Sequence, residues 1–266
     1  MSVDWKRIRH VFLDMDGTIY LGGQLFESTL PFLKTLERLG VGHTFLTNNT
    51  SKNRADYVAK LNALEISTNV GDIFTAADHF IAWAKANVPE TTRLCIVGTS
   101  SLATQLSDAG FVDDWNDPQA VLIGYDPKLL VDHLGKAAYW IDRGRPFYAT
   151  HPDLVCPTDQ PTMQLDCGAV CACVSAATGR TPRVFGKPSA DILHTLCSSL
   201  SIEPSEAVMI GDRIYTDIAM ALNAGVGAVL VLSGEATSAD VAASGITPDY
   251  IATDVGEIGL RLLEAC

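Results

Sequence analysis

Short apolar segments rich in β-branched residues alternate along this chain with longer segments in which apolar residues recur every three or four positions. The first pattern predicts buried strands, and the second predicts helices with one buried face. Alternation of the two from end to end is typical of strand–helix–strand units built around a mainly parallel sheet. We therefore predict an α/β fold.

The predicted elements follow from where each pattern begins and ends. Strands are expected at 8–13, 42–47, 94–97, 120–123, 147–149, 207–210 and 228–232, and helices at 31–39, 54–64, 100–109, 128–143, 190–200 and 218–223. Gly40, Gly110 and Gly144 follow helical segments, at positions where a left-handed residue commonly ends a helix.

The segment between about 80 and 183 has strands and helices of its own, and the pattern of the first part of the chain resumes after it. We interpret this segment as an insertion. The predicted domains are a core formed by 1–79 and 184–266, and an inserted α/β cap domain formed by 80–183.

Composition limits the classes of function. The chain has 266 residues, 47% of them hydrophobic, and a formal net charge of −12. This acidic balance argues against a nucleic acid partner, because neutralising a phosphate backbone needs clustered Lys and Arg. No apolar stretch follows the charged start and no window approaches eighteen apolar residues, so we expect neither a signal peptide nor a membrane span. The expected compartment is the cytoplasm.

The seven cysteines are an odd and scattered set, which predicts reduced thiols rather than a disulfide framework. Cys167, Cys171 and Cys173 have a spacing that could hold a metal ion, but no second pair of cysteines or histidines follows at zinc-site spacing. We expect these three to be buried as small apolar side chains.

Two carboxylates, Asp14 and Asp16, stand at the end of the first predicted strand, directly before Gly17. Side chains two residues apart on a strand point the same way, and ligands of parallel α/β sheets bind at the carboxyl ends of strands. One carboxylate could attack phosphorus while the other moves protons, and Gly17 would let the backbone approach a phosphate closely. The alternatives are a solvated turn or a fragment of a calcium loop, although Leu25 stands where an EF-hand needs its last acidic ligand.

Residues far along the chain could complete such a site, each at a predicted strand end or turn. Thr47 and Asn48 offer a hydroxyl and an amide for phosphate oxygens, although the same residues suit a helix cap. Lys187 follows a tight turn and could supply a compact positive charge to the site. The alternative is that Lys187 is an ordinary lysine on the solvated surface. Asp212 can join Asp14 in holding Mg²⁺.

In this order, the motifs resemble those of the haloacid dehalogenase-like (HAD) hydrolase superfamily of aspartyl-phosphate phosphatases, over nearly the whole chain. Its four motifs correspond to residues 14–18, residues 47–49, Lys187 and residues 211–217. The long insertion resembles the cap of the NagD-like branch (class IIA), which includes p-nitrophenyl phosphatase, phosphoglycolate phosphatase and pyridoxal phosphatase. The resemblance implies a three-layer, Rossmann-like core with a mainly parallel sheet and an inserted α/β cap domain of the class IIA type.

The resemblance also implies a role for each site residue. Asp14 would attack phosphorus and become an aspartyl phosphate, and Asp16 would protonate the leaving group and later activate water. Mg²⁺ would be held by the side chains of Asp14 and Asp212 and by the backbone carbonyl of Asp16. The phosphate-binding and supporting residues would be Gly17, Thr47, Asn48 and Lys187, with Asn49 in support and with Asp217 either supporting the metal's waters or orienting Lys187.

The cap loop departs from the pattern of its relatives. His151-Pro152-Asp153 replaces Asn-Pro-Asp, and residues 165–168 replace a Pro-Gly-x-Gly-like turn. We predict that His151 and Asp153 contact the leaving group, because Pro152 stiffens a loop after a strand that faces the site; a surface turn is the alternative. His10 and His43 flank buried strands and are expected to be structural.

The implied function is a Mg²⁺-dependent phosphatase of small phosphorylated metabolites, in the class of sugar phosphates, phosphoglycolate, glycerol phosphate, nucleotides or pyridoxal phosphate. Two alternatives stay open. One is a mutase or phosphotransferase that uses the same intermediate, and the other is a phosphometabolite-binding protein without turnover. The expected partner is a small phosphorylated metabolite rather than a nucleic acid or a membrane, and the cap is the expected surface for a homo-oligomer.

Overall fold

The structure is a computed structural model that describes residues 3–156 and 162–265. The chain forms two compact units: unit 1 consists of Met1–Leu46, Lys60–Ile73 and Lys187–Cys266, and unit 2 consists of Thr47–Ala59 and Phe74–Gly186. The predicted boundaries of a core and a cap stay a prediction. The two units differ from those boundaries mainly in placing Thr47–Ala59 with the middle of the chain.

The strands are β1 (His10–Asp14), β2 (Tyr20–Leu21), β3 (Gln24–Leu25), β4 (Gly42–Thr47), β5 (Ile73–Thr75), β6 (Arg93–Val97), β7 (Val112–Asp113), β8 (Ala120–Ile123), β9 (Phe147–Ala149), β10 (Val155–Cys156), β11 (Gln164–Leu165), β12 (Arg183–Val184), β13 (Ala207–Gly211), β14 (Gly227–Val231) and β15 (Tyr250–Ala252). The α-helices are α1 (Thr29–Leu39), α2 (Arg54–Ala63), α3 (Ala76–Asn87), α4 (Ser100–Asp108), α5 (Val131–Asp142), α6 (Cys167–Thr178), α7 (Asp191–Leu200), α8 (Ala219–Ala224), α9 (Ser238–Ser244) and α10 (Val255–Ala265). A π-helical turn, Ile214–Ile218, leads into α8.

The main sheet has the strand order β15-β14-β13-β1-β4-β5. Strand β1 is central and pairs in parallel with β13 on one side and with β4 on the other. Every residue of β1 and β13 is buried, as expected for parallel strands that are covered on both faces. Because Leu13 lies opposite Ile210, the two strands end side by side, and Asp14 and Asp212 emerge at the same edge of the sheet.

Unit 2 contains a second parallel sheet, with the order β12-β9-β8-β6-β7. Side chains of β6 alternate between its two faces: Leu94 and Ile96 pack with residues of α3 and α4, whereas Cys95 and Val97 pack with residues of α5 and α6. The predicted α/β class with a mainly parallel sheet is confirmed.

The structure corrects one sequence expectation about side-chain burial. Cys167 and Cys171 are buried on α6, as expected, but Cys173 is exposed, because it faces away from the core of unit 2. The described cysteines are free, in keeping with the predicted reduced thiols. His10 is buried and its Nε2 lies 2.9 Å from the hydroxyl of Thr44 on the neighbouring strand, which fits the structural role expected for it. Among residues 3–156 and 162–265, no helix has the length and apolar character needed to span a membrane.

Candidate active site

The carboxyl edge of the main sheet holds a buried group of charged residues that we call the Lys187 cluster: Asp14, Lys187, Asp212 and Asp217. Nζ of Lys187 donates to Oδ1 of Asp14, at the end of β1, and to Oδ1 of Asp217, in the π-helical turn, at 2.7 Å. Lys187 is only 4% exposed and Asp217 is fully buried. Oδ2 of Asp217 also accepts from the backbone N–H of Arg213 at 3.2 Å, so both of its oxygens are bonded.

Burial and mutual repulsion perturb the pKa values of this cluster. Burial alone would lower the pKa of Lys187, but the carboxylates of Asp14 and Asp217 raise it above its usual value, so the ammonium stays charged. Burial, followed by repulsion from Asp14 and Asp217, raises the pKa of Asp212. Burial also raises the pKa of Asp217, and Lys187 opposes that rise. One ammonium therefore contacts two carboxylates, and Asp212 adds a third carboxyl group to the cluster.

Asp212 is the member of the cluster with an unsatisfied atom. Its Oδ2 accepts from the backbone N–H of Glu235 at 2.7 Å, but its buried Oδ1 has no hydrogen-bond partner. A Cβ at Gly17, which has a φ of +83°, or at Gly234 would overlap the Asp212 carboxylate. Two glycines thus leave the space that this carboxylate occupies.

The cluster meets the requirements of a hard divalent cation. Asp14, Asp212 and Asp217 each offer a carboxylate oxygen, and these atoms lie within 4.8 Å of one another. All-oxygen donors suit Mg²⁺, and the unpartnered Oδ1 of Asp212 is a buried anionic atom that a cation would satisfy. The chemistry of the donors therefore fits the metal expected from the sequence.

Asp16 has a different environment from Asp14, although it belongs to the same motif. Its Oδ2 accepts from the Tyr20 hydroxyl at 3.2 Å, and Nζ of Lys60 lies 3.8 Å from the centre of the Tyr20 ring. Burial raises the pKa of Asp16, the cation of Lys60 opposes the rise, and the charge of Asp14 adds to it. The protonated form of Asp16 is favoured relative to a free aspartic acid, as an acid catalyst requires.

The predicted phosphate-binding residues of the second motif belong to unit 2. Thr47 ends β4, and its hydroxyl accepts from the backbone N–H of Asn49 at 3.1 Å. Oδ1 of Asn49 accepts from the backbone N–H and the hydroxyl of Ser51, which ties Asn49 into the turn. The amide Nδ2 of Asn48 donates to both carboxylate oxygens of Asp153, at 3.3 Å each.

His151 and Asp153 join Asp166 in a second buried group, which we call the His151 cluster. His151 is fully buried, with Nδ1 3.5 Å from Oδ2 of Asp153 and Nε2 3.5 Å from Oδ1 of Asp166. Burial alone would lower the pKa of His151, but Cys167, Asp153 and Asp166 together raise it to about 9. The contact between His151 and Asp166 joins the segments 151–153 and 165–168.

Several residues of these environments were missed by the sequence reasoning. They are Tyr20 and Lys60 beside Asp16, Glu235 beside Asp212, and Asp166 beside His151. Asp166 had a usable signal, because an aspartate directly before a helix is a common N-cap, and it caps α6. The others act across turns or across the sheet, and the sequence gives no local sign of such contacts.

Two family models match parts of this chain. A family model described as haloacid dehalogenase-like hydrolase matches residues 11–112, and one described as HAD-hydrolase-like matches residues 184–258. The acid sugar phosphatase of Staphylococcus aureus is 29% identical over 254 residues, which cover 95% of this chain and 97% of the relative.

Solved structures are similar over almost the whole chain. A 4-nitrophenylphosphatase from Thermotoga maritima has a TM-score of 0.93 and 31% identity, covering 97% of this chain and 98% of that chain. NagD from E. coli K-12 has a TM-score of 0.85 and 27% identity, covering 97% and 98%. The glycerol phosphate phosphatase of Mycobacterium tuberculosis, solved in complex with magnesium, has a TM-score of 0.86 and 27% identity, covering 96% and 78%. This chain therefore belongs to the haloacid dehalogenase-like hydrolases and, within them, to the NagD-like branch of phosphatases.

Proposed function

We propose that this enzyme is a Mg²⁺-dependent phosphatase of small phosphorylated metabolites and that it works through an aspartyl phosphate on Asp14. The substrate class includes sugar phosphates, phosphoglycolate, glycerol phosphate, nucleotides and pyridoxal phosphate. The observation that carries the proposal is the Lys187 cluster, in which one buried ammonium contacts Asp14 and Asp217 while Oδ1 of Asp212 has no partner.

The metal would be held by the side chains of Asp14 and Asp212 and by the backbone carbonyl of Asp16. When bound, Mg²⁺ supplies positive charge against the phosphate oxygens and against the Asp14 carboxylate. The magnesium complex of the glycerol phosphate phosphatase relative supports this choice of ion.

In the first step, a carboxylate oxygen of Asp14 attacks phosphorus, and the bond from phosphorus to the leaving oxygen breaks. Asp16 gives its proton to that oxygen, so the product leaves as an alcohol. Lys187 reduces the repulsion between Asp14 and the phosphate dianion. Its buried position strengthens this effect, because little water screens the charges.

In the second step, Asp16, now ionised, takes a proton from water as the water oxygen attacks the phosphorus of the aspartyl phosphate. The bond from phosphorus to Asp14 breaks, and inorganic phosphate and a free Asp14 carboxylate result. Each carboxylate thus ends the cycle in the protonation state in which it began.

The remaining residues would bind the phosphate or hold other groups in place. We assign phosphate contacts to Gly17, Thr47, Asn48 and Lys187, with Asn49 supporting the turn that carries Asn48. Of the two roles considered for Asp217, its 2.7 Å hydrogen bond supports orientation of Lys187.

Replacing Asp14 tests the proposal directly. Asp14→Asn removes the nucleophile with little change in shape, so we expect phosphate release from a panel of phosphate monoesters to fall by about 10³-fold or more, with thermal unfolding changed little. Asp191→Asn, at an exposed position at the start of α7, is the control for the same chemical change.

The same panel, assayed with EDTA and with added Mg²⁺, tests the metal and ranks the substrates. Retained turnover in Asp14→Asn, or full turnover in EDTA, would refute the mechanism. Transfer of labelled phosphate to an added alcohol in preference to water would instead identify a phosphotransferase.

A further inference from the structure

A continuous line of buried polar side chains in unit 2 joins Asp166, His151, Asp153 and Asn48. Successive partners lie 3.5, 3.5 and 3.3 Å apart. His151 is fully buried, and Asp166 and Asn48 are 3% and 6% exposed. Neither nitrogen of His151 has a hydrogen-bond partner among the described residues, so the attraction between opposite charges links the imidazole to the two carboxylates.

Asn48 stands at one end of this line with its amide held on both sides. Its Nδ2 donates to both oxygens of Asp153, which fixes the orientation of the amide because a carboxylate accepts only from the NH₂ side. Its Oδ1 lies against the backbone of Gly186, where an added Cβ would come within 2.6 Å. A rotated amide would therefore lose its hydrogen bonds to Asp153 and place an oxygen against the Asp153 carboxylate.

Asp166 anchors the other end of the line. Its Oδ1 accepts from the backbone N–H of Cys167 at 2.6 Å, which fixes the side chain to the start of α6. His151 lies between Asp166 and Asp153 and offsets the repulsion of two buried carboxylates. The position of Asp153 is thus set by a helix through two intermediate side chains.

We infer that Asp153, His151 and Asp166 are positioning residues that hold the Asn48 amide ready for the substrate phosphate. This inference rests on the proposed role of Asn48 in phosphate binding. The leaving-group contacts predicted for His151 and Asp153 stay a prediction; for His151, a positioning role is favoured because the imidazole is fully buried and both of its nitrogens face carboxylates.

A double-mutant cycle on Asn48 and Asp153 tests the inference, with inorganic phosphate as a competitive inhibitor. Asp153→Asn should raise KM and the inhibition constant of phosphate about tenfold and change kcat less than threefold, because it frees an amide that contacts the ground state and the transition state alike. In an Asn48→Ala background the same change should have less than a twofold effect. Additive effects would overturn the inference.

The matched control is Asp78→Asn, at a buried carboxylate of the same unit that pairs with Arg54 and contacts neither Asn48 nor His151. It should lower the unfolding temperature without raising KM. If it raised KM as much as Asp153→Asn, a general loss of structure would explain both variants and the inference would fall.

The roles of His151 and Asp166 can be tested with Asp153 unchanged. His151→Asn leaves two buried carboxylates without a cation, whereas His151→Asn with Asp166→Asn removes one charge of each sign and keeps a residue that can cap α6. We expect the single variant to raise the phosphate inhibition constant about fivefold and the double variant about twofold. If Asp153→Asn does not fold, the comparison of the single variant with the double variant tests the inference instead, and equal inhibition constants in the two would overturn it.

The outcomes separate this inference from the proposed function. Turnover retained in Asp14→Asn refutes the function, whereas an unchanged phosphate inhibition constant in Asn48→Ala refutes only the phosphate role of Asn48 and the line built on it. Stoichiometric binding of Co²⁺ or Zn²⁺ that is lost in His151→Asn would overturn the inference as well. The imidazole would then be a metal ligand rather than a spacer.

Discussion

The Lys187 cluster and the His151 cluster are both groups of carboxyl groups around one buried cation, yet they differ in how the carboxyl groups are held. In the Lys187 cluster, one ammonium donates to Asp14 and Asp217, and Oδ1 of Asp212 has no hydrogen-bond partner in the described part of the chain. In the His151 cluster, Asp153 also receives the Asn48 amide and Asp166 also caps a helix. The first group has three carboxyl groups for one cation, whereas the second has two, and each of these is also bonded to a group outside the cluster.

The difference shows how a fold separates binding from support. A site that admits a metal ion and a phosphate must leave part of its charge uncompensated until they arrive, at some cost in stability. A group that only positions a neighbour has no such requirement, and its carboxylates can keep the same hydrogen-bond donors throughout. The predictions below test this contrast.

The largest effect is expected from removing the central cation. Lys187→Met leaves the buried carboxylates of Asp14 and Asp217 without their ammonium partner, so we expect the free energy of unfolding to fall by about 3–5 kcal/mol at neutral pH and phosphate release to fall by about 10³-fold or more. Urea unfolding and a phosphate-release assay measure the two quantities. Lys34→Met, at an exposed position of α1, removes the same charge and should change neither by much. If Lys187→Met and Lys34→Met lost equal amounts of stability and activity, the buried ion pairs of Lys187 would not explain its effect.

A smaller effect concerns the pH dependence of the metal-free protein. The pKa of Asp212 is raised in the folded state above its usual 3.8, so the folded protein binds more protons there than the unfolded chain. Its contribution to stability is therefore present below about pH 4 and is lost as the pH rises toward the folded pKa. Asp212→Asn should remove this loss, and the variant should gain about 2 kcal/mol on the wild type between pH 5 and pH 8 in EDTA.

Added Mg²⁺ should reverse that order, because only the wild type keeps the full set of carboxylate ligands. Urea unfolding at several pH values, with EDTA or with Mg²⁺, gives the comparison. If the free energies of unfolding of the wild type and of Asp212→Asn depended on pH in the same way in EDTA and responded equally to Mg²⁺, the proposed charge imbalance of the Lys187 cluster would be wrong.

Much of the fold was predictable because strand positions depend on local patterns. The predicted strands 42–47, 120–123 and 147–149 have the same bounds in the structure, and Gly40 ends α1 in the left-handed conformation, as predicted. Helix α6 was missed, since its sequence CGAVCACVSAAT has small apolar residues on all faces and no clear period. Helix 218–223 was predicted, but the preceding π-helical turn that carries Asp217 was not.

The site was less predictable than the fold, for a physical reason. Lys187 and Asp14 are 173 residues apart and meet only in the folded chain, so no local pattern links them. The resemblance to a family identified them as partners, and it could not identify contacts that are particular to this chain. The contact between His151 and Asp166 is an example, because the four motifs of the resemblance include neither residue.

A still smaller effect is expected from the residue that opposes the raised pKa of Asp16. Lys60→Gln removes the cation that lowers this pKa, so the pKa should rise further. Because the first step needs protonated Asp16, the alkaline limb of the kcat/KM profile should move to higher pH, with less than a tenfold change at the optimum. Lys34→Gln is the control and should leave the limb in place. A shift in the acid direction would show that Asp16 is not the group that sets this limb.

The smallest effect tests whether the His151 cluster is closed to solvent, as the contrast requires. Cys167 follows Asp166 directly and is fully buried, whereas Cys173 is exposed on the same helix. A charged thiol reagent should therefore label Cys173 rapidly in the native enzyme and label Cys167 only after unfolding, as localised by fragmentation mass spectrometry. Cys173→Ser should remove the rapid labelling at position 173 and change the free energy of unfolding by less than about 0.5 kcal/mol. Labelling of Cys167 at a rate near that of Cys173 would place water beside His151, and the two clusters would then differ in charge but not in closure.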